Sequence, residues 1–247
     1  MELNTIQKQW IDSNNVDYSD LKVLFINTTL KKSPSLSHTE GLFGVVETQL
    51  EKLNVTVEKV RAADHDIAFG IHPDMTKHGA DTDEWPELYK KVMSADILIL
   101  GSPIWLGEVS SICRLIIERL YGNSATLNDK GQYAYYGKVG GAIITGNEDG
   151  VKHCAMSMLY GLQHLGFTIP PQADAGWIGT IGPGPSYCDE GSGGSENDFT
   201  NRNATFMMWN LLHTARMLKD NGIRAHGNQR NQWDAGCSDH YDNPEYR

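Results

Sequence analysis

The sequence predicts an α/β fold: a doubly wound parallel sheet of five strands, order 2-1-3-4-5, with helices on both faces. Two observations carry this. Three apolar runs, Lys22–Asn27 (KVLFIN), Ile97–Leu100 (ILIL) and Lys138–Thr145 (KVGGAIIT), stop abruptly at small or turn-forming residues, as strands buried on both faces of a parallel sheet do. Between them apolar residues recur at helical spacing, so strands and helices alternate along the chain. Right-handed crossovers leave two common strand orders. In the order 2-1-3-4-5 the loops after strands one, three and four emerge side by side.

Each element has its own signal. Residues 1–20 are polar, with Ile6, Trp10 and Ile11 spaced for one helix face, and predict a helical extension lying on the domain or on a neighbouring subunit. The first strand, Lys22–Asn27, leads through a hydroxyl-rich loop to a helix marked by Leu42, Val45, Val46, Leu50 and Leu53. Val55–Val60 alternates and reads as the second strand. Residues 61–84 are irregular, and Trp85–Met93 predicts a helix before the third strand. That strand is expected to stop at a Gly101-Ser102-Pro103 turn, with Glu108 and Ser110 starting the next helix and Arg114, Glu118 and Arg119 on its polar face. The fourth strand ends in TGNEDG (Thr145–Gly150), and Met156, Leu159, Leu162 and Leu165 mark a helix stopped by Gly166. A fifth strand is expected at Phe167–Pro171. Residues 176–197 form a glycine-rich connection too long for an ordinary crossover, hence a functional or oligomeric candidate. Phe206, Trp209, Leu212, Ala215 and Leu218 mark a last helix ending near Gly222. The domain is thus residues 21–222, followed by an irregular tail, residues 223–247.

Composition narrows the function. The net charge of −10 argues against nucleic acid or an anionic membrane as a partner, since both require clustered Lys and Arg. Cys113, Cys154, Cys188 and Cys237 are far apart, with no Cys-x-x-Cys, which suits free thiols in a reducing compartment. The first residues lack a signal-peptide pattern and no apolar run has the length of a membrane span. The expectation is a cytoplasmic protein.

Three loops can share one ligand. The first leads into a helix N-terminus, where unpaired amides and the positive dipole end suit a phosphate. Thr29, Ser37, His38 and Thr39 lie there. Ser37-His38-Thr39-Glu40 is equally a capping box, which contributes ~1 kcal/mol with no ligand. Lys31 and Lys32 read either as a solvated turn or as contacts to a nucleotide phosphate. In the second loop, Trp105 either stacks on a planar ring or packs as a lid. In the third, Gly146 and Gly150 permit close backbone approach and Asn147 offers donor and acceptor, while Glu148 and Asp149 can instead cap the following helix. There is no G-x-G-x-x-G after a strand, no phosphate-loop lysine motif, no nucleophile elbow and no H-E-x-x-H. His65, His72 and His78 are scattered, and Cys237-Ser238-Asp239-His240 offers two ligands in a polar tail. No catalytic residue and no metal site is expected.

Together these residues resemble the flavodoxin-like NAD(P)H-dependent FMN reductase and quinone reductase superfamily, from about Lys22 to about Asp220. Asn27–Thr39 is similar to the family's phosphate loop, a short Gly-Ser-Pro-Arg followed by Asn-Thr or Ser-Thr. Thr29 falls on the serine, Lys31 on the arginine and His38-Thr39 on the closing pair, while Ser33–Leu36 lengthens the loop. Ser102-Pro103-Ile104-Trp105-Leu106-Gly107 resembles the loop beside the isoalloxazine. Thr145-Gly146-Asn147-Glu148-Asp149-Gly150 resembles the loop at the flavin's pyrimidine side. The long segment through Gly176-Trp177 and Pro183–Tyr187 is similar to that of larger, oligomeric members.

The resemblance implies a flavodoxin-like fold, non-covalent FMN, NADPH or NADH as electron donor, a small-molecule acceptor such as a quinone or flavin, and a homodimer or homotetramer. The flavin would carry the chemistry, so no protein acid or base is obligatory. Two other readings share the fold: an electron-carrier flavodoxin without its own NAD(P)H oxidation, and a small-molecule-binding relative that has lost flavin.

Overall fold

The computed structural model describes residues 2–236. Five parallel strands, β1 (Lys22–Asn27), β2 (Thr56–Arg61), β3 (Ile97–Trp105), β5 (Val139–Gly146) and β6 (Asp174–Ile178), form a sheet in the order β2-β1-β3-β5-β6. A two-residue strand, β4 (Glu108–Val109), folds back antiparallel on the end of β3. With that hairpin set aside, the order is the predicted 2-1-3-4-5. The helices are α1 (Thr5–Asp12), α2 (His38–Lys52), α3 (Trp85–Ser94), α4 (Ser111–Gly122), α5 (Val151–Leu165), α6 (Asp198–Asn221) and α7 (Arg230–Gly236).

The strand period of two divides the apolar side chains between two cores. Leu24, Ile26, Leu98 and Leu100 face α3, α4 and α5, against Trp85, Ile116 and Met158. Val23, Phe25, Ile97 and Ile99 face α2 and α6, against Phe43, Leu50 and Leu211. Phe25 and Phe43 stack with their centroids 4.0 Å apart. The N-terminal helix lies on its own chain: Gln7 Nε2 donates to Thr205 Oγ1 at 2.9 Å, and Trp10 stacks on Phe206. No helix among the described residues is long and apolar enough to cross a membrane.

Four local expectations are corrected. The third strand does not stop at Gly101 but runs through Pro103 to Trp105. Pairing with β1 ends at Gly101, so Pro103 lies beyond that ladder and its missing N–H leaves no gap there. Glu108 belongs to the hairpin, whereas Ser110 caps α4 by accepting from the Cys113 amide at 3.1 Å. The fifth strand is Asp174–Ile178, not Phe167–Pro171, which makes only an isolated bridge at Thr168. Pro170 and Pro171 have no amide to give a ladder, and Gln172 turns the chain at φ 52°. Within the tail, residues 230–236 are helical, supported by an Arg230–Asp234 ion pair. Cys237-Ser238-Asp239-His240 and the rest of the tail lie outside the described residues.

Arg119 was expected on a solvated helix face but is fully buried. Its guanidinium pairs with the equally buried Asp83 at 2.7 Å and donates to the carbonyls of Gly70 and Pro73. This pair holds the long 61–84 loop against α4.

Candidate functional site

The loops after β1, β3 and β5 converge at the carboxyl edge of the sheet on a cleft of about 740 Å³. Thr29, Lys31, His38 and Thr39 line it from the first loop, and Pro103, Ile104 and Trp105 from the second. Thr145, Gly146, Asn147 and Glu148 line it from the third. Ser37, Leu106, Gly107 and Gly150, singled out with them, do not.

At the α2 end, Ser37 is the helix cap. Its Oγ accepts from the Glu40 amide at 3.2 Å and its carbonyl from the Gly41 amide at 3.0 Å. Among the four opening amides of α2, those of His38 and Thr39 are left at the positive end of the helix. The capping box is only half formed. The Glu40 carboxylate does not return to Ser37 but accepts from Asn27 Nδ2 (3.1 Å) and from Arg61 (2.6 Å). Arg61 also donates to the Ser35 carbonyl, and Asp64 accepts from the Ser33 amide and hydroxyl. The extra residues of the first loop are thereby tied outward, away from the cleft. Thr39 and Thr145 share a hydrogen bond of 2.8 Å, which joins the first and third loops.

Among the described residues, Lys31 is the only Lys or Arg lining the cleft; Lys32 does not line it. His38 Nδ1 accepts from the Cys188 amide at 3.1 Å, which places the imidazole proton on Nε2. Burial pushes the pKa of His38 below its ordinary value and the Lys31 cation adds to this, against the opposing pull of Asp189. His38 is therefore a neutral donor.

At the other end Trp105 is half exposed on the β3–β4 hairpin. The tip of the hairpin is held by Glu148, whose Oε1 accepts from the Leu106 amide at 2.8 Å; Leu106 itself is 92% exposed. Neither Glu148 nor Asp149 caps α5, which has no side-chain cap. Gly150 is required for another reason than ligand approach: a β-carbon there would stand 2.7 Å from the Gly107 carbonyl oxygen. Asn147 has a second duty besides lining the cleft. Its Oδ1 accepts from Ser186 Oγ (2.8 Å) and its Nδ2 donates to the carbonyl of Pro185 (3.0 Å), so the amide anchors the glycine-rich connection.

That connection supplies the residues sequence reasoning missed. Trp177, Ile181, Gly182, Ser186 and Tyr187 line the cleft, as does Leu30 of the first loop. Length and glycine content marked the segment without naming its contacts. Trp177 and Tyr187 pack edge to face at 5.6 Å.

Volume and donor chemistry together suit a flavin mononucleotide. The cleft falls within the roughly 300–1,000 Å³ of cofactor sites, with amides and a cation from the first loop and an exposed indole from the second. The buried Tyr187 hydroxyl has no hydrogen-bond partner among the described residues, an omission that costs about 1–3 kcal/mol unless a ligand supplies one.

Residues 21–177, more than half of the chain, match the family described as NADPH-dependent FMN reductase. The chain belongs to that family. The family is NADPH-dependent and FMN-binding, as the resemblance implied. Over 205 residues the chain is 40% identical to 8-demethyl-8-aminoriboflavin-5'-phosphate synthase of Streptomyces davaonensis, covering 81% of this chain and 79% of that protein. Its fold is similar to the crystal structure of RosB with the bound intermediate 8-demethyl-8-formylriboflavin-5'-phosphate. That likeness has a TM-score of 0.77 and 35% identity, over 92% of this chain and 94% of the other. Over 202 residues the chain is also 63% identical to part of a Mycobacterium bovis protein named divalent metal cation transporter MntH. The match covers 82% of this chain but only 30% of that protein's length.

Proposed function

We propose that the chain binds FMN in this cleft and passes electrons from NADPH or NADH to a small-molecule acceptor such as a quinone or a free flavin. The observation that carries the reading is the chemistry of the cleft lining. Lys31 and the free amides of His38 and Thr39 come from the first loop, and Trp105 and Ile104 from the second. Thr29, Ser37, His38, Thr39 and Lys31 secure the phosphate, Ser37 by fixing the helix end. Pro103, Ile104 and Trp105 bound the ring, and Thr145, Gly146, Asn147 and Glu148 line the facing side. Leu106, Gly107 and Gly150 act through the position of the hairpin. The chemistry that bound FMN supplies is hydride acceptance and onward electron delivery, so the protein's task is to position and exclude. A cytoplasmic setting and assembly into a homodimer or homotetramer belong to the same reading; the exposed Met156 and Tyr160 on α5 support the assembly.

One observation favours a second reading. The Streptomyces relative, 40% identical, is named for a product altered at the flavin's 8-position. In that reading the flavin phosphate is substrate rather than cofactor. Steady-state turnover with NADPH and menadione, followed by mass analysis of the recovered flavin, separates the two. NADPH consumption with FMN recovered unchanged supports the oxidoreductase. Flavin of altered mass, or no consumption with any acceptor, contradicts it.

Lys31 and Lys32 are separable. Lys31→Ala is expected to weaken FMN binding about tenfold, the loss of one charge-assisted contact. Lys32→Ala is expected to leave it unchanged. Fluorescence titration of the two variants checks this, and equal effects would remove Lys31 from the phosphate site.

A further inference from the structure

The tripeptide Ser186-Tyr187-Cys188 runs as a strap from one side of the cleft to the other. Ser186 Oγ donates to Asn147 in the third loop, and the Cys188 amide donates to His38 at the start of α2. Tyr187 lies between these two anchors. Its side chain is 2% exposed, it lines the cleft, and its hydroxyl has no partner among the described residues. The ring rests on the first turn of α2, since a β-carbon built at Gly41 would stand 3.5 Å from Tyr187 Cδ1. The same β-carbon would stand 2.2 Å from Cys188 Sγ, so glycine at 41 lets the strap lie directly on the helix. This is the turn that presents the free amides of His38 and Thr39. Burial pushes the phenol up to about 12, with Cys188 and Glu196 adding to it, so the group remains a donor at any working pH.

A buried donor without a partner among the described residues, on a ring that rests against the helix turn with free amides, calls for an anionic acceptor. We infer that Tyr187 is a ligand-binding residue whose hydroxyl donates to the phosphate of a flavin mononucleotide, making the glycine-rich connection part of the phosphate site. The inference rests on FMN binding in the cleft. It adds a donor from a segment remote in sequence, held in place by Asn147 and His38.

Tyr187→Phe removes the hydroxyl alone and tests the assignment without turnover. The readouts are the ligand-free melting temperature and the dissociation constants of FMN and riboflavin, for wild type and variant. The ligand-free variant should melt at or above the wild-type temperature, because an unpartnered polar atom has been removed. FMN should bind roughly tenfold to a hundredfold more weakly, the loss of a hydrogen bond to a charged group, while riboflavin binding stays the same. A lower ligand-free melting temperature with unchanged FMN affinity would show a structural hydroxyl and overturn the inference. Equal weakening of FMN and riboflavin would overturn its assignment to the phosphate. Wild-type protein that binds no FMN would overturn the functional reading beneath it.

Discussion

Asp83→Ala is expected to destabilise the fold by about 3–5 kcal/mol, the range for removing one partner of a buried ion pair. Asp83 and Arg119 are both fully buried. The Asp83 carboxylate also accepts from the amides of Ala68, Met75 and Trp85, at 3.0–3.2 Å. Its loss leaves the guanidinium and three amides uncompensated, and the 61–84 loop loses its anchor on α4. Adding Arg119→Met should recover part of the loss, because removing both charges is milder than removing one. Chemical denaturation measures both variants. A loss under about 1 kcal/mol for Asp83→Ala, the value for an exposed pair, would contradict the account.

Gly150→Ala should cost about 2–3 kcal/mol and weaken flavin binding. Gly150 sits at φ 135° as the cap of α5, a conformation that side-chain-bearing residues rarely adopt. The added carbon would also meet backbone rather than a yielding side chain, 2.7 Å from the Gly107 oxygen and 2.9 Å from its Cα. Relief requires the β3–β4 hairpin to move, and Trp105 moves with it. At this chain length the stability loss corresponds to roughly 4–12 °C in melting temperature. Leu106→Ala, at the exposed tip of the same hairpin, should leave the melting temperature within about a degree, as exposed substitutions usually do. Differential scanning calorimetry with and without FMN reads both effects. A Gly150→Ala protein with wild-type melting and flavin affinity would show that the close approach of hairpin and helix is immaterial.

The sheet was legible because its signal is local. The runs ending at Asn27, Leu100 and Thr145 are buried on both faces, and burial on both faces leaves an unbroken apolar word in the sequence. The handedness of the crossovers narrowed the strand order to two, of which 2-1-3-4-5 is the flavodoxin-like one. Pro103 misled because a proline reads as a strand end, while its position past the last pair of β1 is a property of the neighbour. Arg119 misled because its partner Asp83 lies 36 residues away, and each alone looks like a surface charge. The cleft was legible as far as the three loops that strand order brings together. Its fourth wall depends on contacts between residues far apart in sequence, His38 with Cys188 across 150 positions and Asn147 with Ser186 across 39. No local pattern encodes such contacts. Asn147 and Gly150 carry duties that residue type does not reveal: Asn147 holds a loop and Gly150 lets hairpin and helix meet.

The central claim is that this cleft binds FMN and lets a nicotinamide reduce it. The most direct test is anaerobic addition of NADPH to the FMN-loaded protein, with the visible flavin absorption followed in time. The account predicts one FMN per chain and bleaching of that absorption at a rate that saturates with NADPH. Failure to retain FMN, or an absorption that NADPH and NADH both leave unchanged, would contradict it.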